Sequence, residues 1–143
     1  MRTPADSSIA SIVLSTGLLT LTACGGQPED SIPDRKPTFP VAGKVLVDDR
    51  PLVGATVVFH PVAASDGKIV RAYGKTDASG VFQLSTYKAK DGAPAGRYTV
   101  SVQQDADDAT VLVPKRYGSP STSGLTVQVQ EEMNELTPFR LQR

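Results

Sequence analysis

Short stretches in which apolar and polar residues alternate recur along the chain after residue 40. Between Arg97 and Gln103 the apolar residues are Tyr98, Val100 and Val102, each separated from the next by a polar residue. A period of two residues is typical of a β-strand with one buried face. Comparable short stretches, rich in β-branched and aromatic residues, occupy positions 41–47, 55–61, 69–76, 82–84, 125–130 and 139–141. The pattern therefore predicts about seven short strands.

Turn-forming residues separate these stretches. Asp48-Asp49-Arg50-Pro51 follows the first, and Asp77-Ala78-Ser79-Gly80 combines a capping aspartate with a final glycine. Residues 105–124 are interpreted as a long loop that can include a short strand at Thr110–Val113. No stretch after residue 40 repeats with a helical period. These features indicate an all-β fold, a single β-sandwich of approximately seven strands with Greek-key connections.

The N-terminal residues have the layout of a leader for export. Arg2 is followed by an apolar run from Ile9 to Leu21, and small residues then lead up to Ala23. This is the organisation of a secretory signal peptide with a cleavage site after Ala23. The run is interrupted by serine, threonine and glycine, and it is shorter than the roughly 20 apolar residues that a membrane-spanning helix needs. We expect residues 1–23 to be a cleaved signal peptide.

Cys24 is the single cysteine and directly follows the predicted cleavage site. The stretch Leu21-Thr22-Ala23-Cys24-Gly25 resembles the lipobox of bacterial lipoproteins. The resemblance implies that Cys24 carries acyl chains such as palmitate and becomes the first mature residue. Two or more chains hold a protein stably at a membrane, whereas one chain does so only marginally. The alternative, an ordinary signal peptide, would leave a free thiol in an oxidising compartment.

Residues 24–40 are predicted to be the lipidated cysteine followed by a proline-rich tether. Prolines oppose helix formation there, and charged residues keep the segment hydrated. Residues 41–143 suit one small domain with a core of moderate size. Because the mature chain holds one cysteine, no disulfide forms within it, and packing must stabilise the fold.

Three stretches resemble the carboxypeptidase regulatory-like, or transthyretin-like, β-sandwich family. They are the segment from Gly43-Lys44-Val45 to Pro51-Leu52-Val53-Gly54-Ala55-Thr56-Val57, the turn Thr76-Asp77-Ala78-Ser79-Gly80-Val81-Phe82, and Pro94-Ala95-Gly96-Arg97-Tyr98-Thr99-Val100-Ser101-Val102. The resemblance implies a prealbumin-like sandwich over residues 41–143. The family has no shared catalytic motif, so it implies structural roles for these residues.

Charge limits the partners that the sequence supports. The chain has 15 basic and 15 acidic residues, so its formal net charge is zero. Nucleic-acid binding is not expected, because it normally needs a basic surface. The expected partners are the membrane, through the lipid anchor, and another envelope protein or a glycan. The expected location is the cell envelope, on a membrane surface that faces the periplasm or the exterior.

Few residues of the sequence are candidates for a catalytic role. His60 is the only histidine, and Ser65 and Asp66 follow it in the sequence. A catalytic triad needs three convergent groups, which a strand histidine and a local Ser-Asp pair do not supply. We therefore predict no catalytic residues and a protein that is not an enzyme, with a hydrolase or a hydrolase-accessory module as the alternative. No cofactor is expected.

Metal binding is considered for one acidic loop. Asp105, Asp107 and Asp108 offer three carboxylates, which are oxygen ligands of the kind that calcium prefers. Their spacing does not fit an EF-hand, and a solvated acidic loop is the competing interpretation. A transition-metal site is not expected, because the mature chain holds too few histidines and cysteines.

Tyr87 and Tyr117 are candidate ligand contacts, because they lie in predicted loops where binding residues concentrate. Related sandwiches bind sugars on exposed aromatic rings, so a carbohydrate ligand is one hypothesis; packing of both tyrosines over the core edge is the other. Partner binding at an open sheet edge is a further possibility. We predict a lipid-anchored envelope protein with a binding or structural role. The alternative is a calcium- or carbohydrate-binding adhesion or accessory domain.

Overall fold

The computed structural model describes residues 35–64, 66–104 and 111–143. The predicted signal peptide, its cleavage site at Ala23 and Cys24, and residues 24–34 of the predicted tether lie outside the described residues. Asp105, Asp107 and Asp108 also lie outside them. The predictions attached to these positions therefore stay predictions.

The described residues form eleven strands and one 3-10 helix, without an α-helix. The strands are β1 (Thr38–Phe39), β2 (Val41–Val47), β3 (Arg50–Pro51), β4 (Ala55–Pro61), β5 (Ala72–Lys75), β6 (Val81–Gln83), β7 (Ala93–Pro94), β8 (Gly96–Gln104), β9 (Leu125–Val129), β10 (Asn134–Glu135) and β11 (Phe139–Leu141). The 3-10 helix is Lys115–Gly118 and follows Pro114. The predicted all-β sandwich is confirmed.

One sheet is built around β2. On one side β2 pairs antiparallel with β6 and β3, and on the other it pairs parallel with β10 and β11. Every second residue of β2 is buried, because one face of the strand points into the core. Asp48 and Asp49 close the β2–β3 hairpin with positive φ angles of 48° and 65°, as a tight two-residue turn requires.

The second sheet is antiparallel and has the strand order β5-β4-β8-β9. Its inner face contributes Val57, Phe59, Tyr98, Val100 and Val102 to the core, and each of these is at most 3% exposed. Backbone hydrogen bonds between Tyr73 and Ser85 join β5 to the segment after β6 and so close one side of the sandwich. The alternation of apolar and polar residues that predicted these strands thus arises because the inner face of each strand is buried.

Three segments differ from the sequence-based expectation. The third strand covers 72–75 rather than 69–76, and residues 62–64 and 66–71 belong to a long β4–β5 loop. The 3-10 helix lies within the predicted loop 105–124. Strand β1 pairs with β7 ahead of the predicted domain start at 41, since Thr38 lies opposite Pro94 and Phe39 opposite Ala93. Short pairings of this kind leave no alternating pattern in the sequence.

Gly92 permits the contact between β1 and the rest of the domain. Its φ angle is +88°, and a Cβ atom there would lie 1.7 Å from the carbonyl oxygen of Phe39. Gly124 has a similar φ angle of +67°, but a Cβ atom there would meet nothing within 4 Å. Substitution of these two glycines therefore distinguishes the cost of backbone strain, which both positions share, from the cost of steric overlap, which arises only at Gly92.

We expect Gly92→Ala to lower the free energy of unfolding by about 3 kcal/mol or more, because it adds a clash to the cost of a positive φ angle. Gly124→Ala should cost only about 1–2 kcal/mol, the strain alone. Urea denaturation of both variants measures the difference. Equal losses would show that β1 does not pack against Gly92.

Candidate ligand-binding site

A cavity of about 400 Å³ opens at the end of the sandwich where β1 joins the domain. We call it the basic cavity, because its charged lining residues are Lys36, Lys68 and Arg97. The rest of its wall is largely apolar and is formed by Pro61, Val62, Ala63, Val70, Pro94, Ala95, Gly96 and Tyr98. A volume of this size lies in the range of small-molecule sites in proteins.

Strand pairing brings these distant residues together. Pro61 lies opposite Tyr98 in the β4–β8 ladder, and the N–H of Val62 donates to the carbonyl of Arg97 at 2.9 Å. The β4–β5 loop therefore starts beside Arg97. The β1–β7 pairing in turn sets Lys36 near Pro94.

The loop between β6 and β7 holds Tyr87 against the segment that carries Lys36. The carboxylate of Asp91 accepts hydrogen bonds from the N–H groups of Thr86, Tyr87 and Lys88 at 2.6–2.9 Å, which fixes the loop. The N–H of Lys36 donates to the Tyr87 hydroxyl at 3.3 Å. The guanidinium of Arg35 lies 5.1 Å from the centre of the Tyr87 ring, within cation–π range.

Tyr98 forms the boundary between the core and the basic cavity. Its side chain is buried, and its hydroxyl donates to the carbonyl of Pro94 at 2.7 Å. Burial, with a smaller contribution from Tyr87, raises the pKa of Tyr98 to about 12. The phenol therefore stays neutral at physiological pH and acts as a fixed donor that holds Pro94 in the cavity wall.

The charges around the basic cavity favour an anion. Lys36 forms an ion pair with Asp66 in the β4–β5 loop, with 3.1 Å between Nζ and Oδ2. Among the described residues that line the cavity, two carry ammonium groups and one carries a guanidinium, and none is acidic. A pocket with a positive balance and low-dielectric walls attracts negatively charged groups.

His60 contacts a residue that the sequence analysis did not associate with it. Its Nε2 shares a hydrogen bond of 2.9 Å with the hydroxyl of Ser101, on the outer face of the second sheet. Ser101 is fully buried, so its hydroxyl is not open to a substrate. Burial, and then the charge of Arg71, lower the pKa of His60 below its ordinary 6.5. Only the β4–β8 register reveals this pair.

Asp66, one of the two sequence candidates beside His60, contacts another residue. Asp66 pairs with Lys36, and Ser65 lies outside the described residues. Within residues 35–64, 66–104 and 111–143, no three histidine, cysteine, aspartate or glutamate side chains are grouped to hold a metal ion. Over the same ranges, no helix has the length and apolar character to cross a membrane.

Tyr87 and Tyr117 lie at opposite ends of the sandwich. Tyr117 belongs to the 3-10 helix, is 6% exposed and packs in the core. Its hydroxyl accepts from the N–H of Gln142 at 3.2 Å, at the end of β11. Its ring thus offers no open face for a sugar to stack on. Tyr87 is half-buried at the edge of the segment that carries Lys36.

Comparisons with known proteins found little. No family model matches the chain, and no curated protein matches it. One solved structure with some similarity is chlorocatechol 1,2-dioxygenase from Pseudomonas putida, with 14% sequence identity and a TM-score of 0.40. The match covers 79% of this chain and 62% of that chain.

The prediction that the protein is not an enzyme is corrected by this comparison, because the matching solved structure is that of an enzyme. The likeness is too small to carry a reaction over to this chain. We therefore assign no reaction and no longer class the protein as non-enzymatic.

We expect the single histidine signal in the proton NMR spectrum to titrate with a midpoint below 6.5, because burial and Arg71 disfavour its charged form. The free energy of unfolding should then fall as the pH drops through 6.5, where the unfolded state takes up the proton first, and level off below the folded-state pKa. Arg71→Met should raise the titration midpoint of His60 part of the way toward 6.5, whereas Arg97→Met should leave this midpoint unchanged. A midpoint at or above 6.5 would contradict the buried environment.

Proposed function

We propose that the protein is a lipid-anchored module of the cell envelope that binds an anionic ligand in the basic cavity. The observation that carries this proposal is the convergence of Lys36, Lys68 and Arg97 on one apolar-walled cavity. A ligand there would gain charge-assisted hydrogen bonds that are stronger than bonds between neutral groups. The apolar wall would exclude water from these contacts.

The predicted anchor lies close to this cavity along the chain. Cys24 is twelve positions before Lys36. Twelve residues span at most about 40 Å when fully extended. A domain held through Cys24 would therefore keep Lys36 within about 40 Å of the lipidated residue.

We also propose that the sandwich is of the carboxypeptidase regulatory-like type. The turn that the resemblance rests on forms between β5 and β6. The carboxylate of Asp77 accepts from the N–H groups of Ser79 and Val81 at 2.8 and 3.0 Å, and Gly80 has a φ angle of +74°. This local geometry supports the resemblance.

Anchoring is tested by metabolic labelling with a clickable palmitate analogue. The full chain should take up the label and fractionate with membranes, and Cys24→Ser should lose both properties, because a lipid thioether needs the cysteine sulfur. Ser79→Ala, at an exposed position, serves as the expression control. Label that persists in Cys24→Ser would contradict lipidation at this position.

Anion binding is tested by thermal unfolding of the full chain in inorganic phosphate and in chloride at equal ionic strength. Phosphate should raise the midpoint, since a ligand that binds the folded state stabilises it by mass action. Arg97→Met should remove most of this increase. Arg140→Met, at the opposite end of the sandwich, should keep it. An equal response of the two variants would exclude the basic cavity as the anion site.

A further inference from the structure

We infer that the anion bound in the basic cavity is the phosphate of an anionic membrane phospholipid, so that the domain docks end-on to the bilayer. This inference rests on the proposed function, because it names the ligand of the same site. Two observed features of the β4–β5 loop and its surroundings support it, the kind of charge and the exposed apolar side chains. The proposed anchor at Cys24 adds a third argument.

The cationic groups suit a phosphate. Lys36 is already paired with Asp66 and retains a partly exposed side chain. Arg97 is exposed on the neighbouring strand β8 and lines the cavity with Lys68. An arginine fork binds two phosphate oxygens at once, and a lysine ammonium adds a point charge beside it. A phosphate can engage groups on several sides, whereas a carboxylate offers two oxygens in one plane.

The loop beside these cations exposes large apolar side chains. Val62 is 56% exposed and Ile69 is 65% exposed, and they lie near the two ends of the β4–β5 loop, with Lys68 next to Ile69. A small soluble phosphate would make no use of them. A bilayer surface would, because apolar side chains enter the interfacial region while adjacent lysines meet the headgroups.

The position of the site favours the membrane as the source of the phosphate. Lys36 lines the cavity and lies twelve positions after Cys24. The predicted anchor at Cys24 would therefore keep the cavity within reach of the bilayer surface, since twelve residues span at most about 40 Å. Anionic headgroups would be present there at high local concentration, so that weak binding to each of them is sufficient.

The chain contains no tryptophan, so a single introduced tryptophan reports on one place. Ile69→Trp places the probe on the β4–β5 loop. Leu112→Trp is the matched control, because Leu112 is 69% exposed and lies near Val113, which contacts Gln104 at the other end of the sandwich. Each full-length lipidated variant is reconstituted into vesicles of phosphatidylcholine alone and of phosphatidylcholine with phosphatidylglycerol.

We expect the fluorescence emission of the tryptophan at position 69 to shift to shorter wavelength in the anionic vesicles and to stay unshifted in phosphatidylcholine. High salt should return the emission to its unshifted wavelength, because it screens the attraction. The probe at 112 should not respond. Lys68→Gln in the Ile69→Trp background should lower the ratio of docked to undocked protein about fivefold, the effect of one cation near an anionic surface. Lys75→Gln, at the far end of β5, should leave the ratio unchanged.

An unshifted probe at 69 in anionic vesicles that carry the anchored protein would overturn the inference. A shift with dissolved glycerol phosphate but not with anionic vesicles would also overturn it and assign the cavity to a soluble phosphate compound. If palmitate labelling fails but added anionic vesicles still shift the probe, anchoring is wrong and docking stands. The labelling and the fluorescence measurements together thus distinguish a failure of membrane docking from a failure of the proposed lipid anchor.

Discussion

The two sheets depend on a row of four aromatic rings that crosses the space between them. Tyr98 and Phe59 belong to the second sheet, with ring centres 5.7 Å apart, and Phe59 lies 6.3 Å from Phe82 of β6. Phe82 stacks on Phe139 of β11 at 6.1 Å. Such pairs add about 0.5–1.5 kcal/mol each beyond the area they bury. Because the chain has one cysteine, no intrachain disulfide shares this role.

The same row links the core to the basic cavity. Tyr98 ends the row, and its hydroxyl bonds to the carbonyl of Pro94 in the cavity wall. Its neighbour Arg97 points to the other face of β8, as the period of a strand requires. The inward packing of Tyr98 and the β4–β8 pairing together place Arg97 at the basic cavity.

The sequence predicted the features that come from local alternation and missed those that come from pairing. The buried faces of β2, β4 and β8 follow from a period of two, and the fold class follows from them. The parallel pairing of β10 and β11 with β2 leaves no local signal, because register is decided by distant residues. The basic cavity was missed for the same reason, since Lys36, Lys68 and Arg97 are far apart in the sequence. His60 and Ser101 become neighbours only through the β4–β8 register.

Strand β1 determines where the chain enters the domain. A tether that ended at residue 40 would leave the sandwich free to present any face to a membrane. Thr38 and Phe39 instead pair with β7, and the Tyr87 hydroxyl accepts a hydrogen bond from the N–H of Lys36. The chain therefore joins the fold at the rim of the basic cavity. A force or a restraint applied through the preceding residues therefore acts on this end. Under the proposed anchoring at Cys24, the chain would enter the domain at its cationic end.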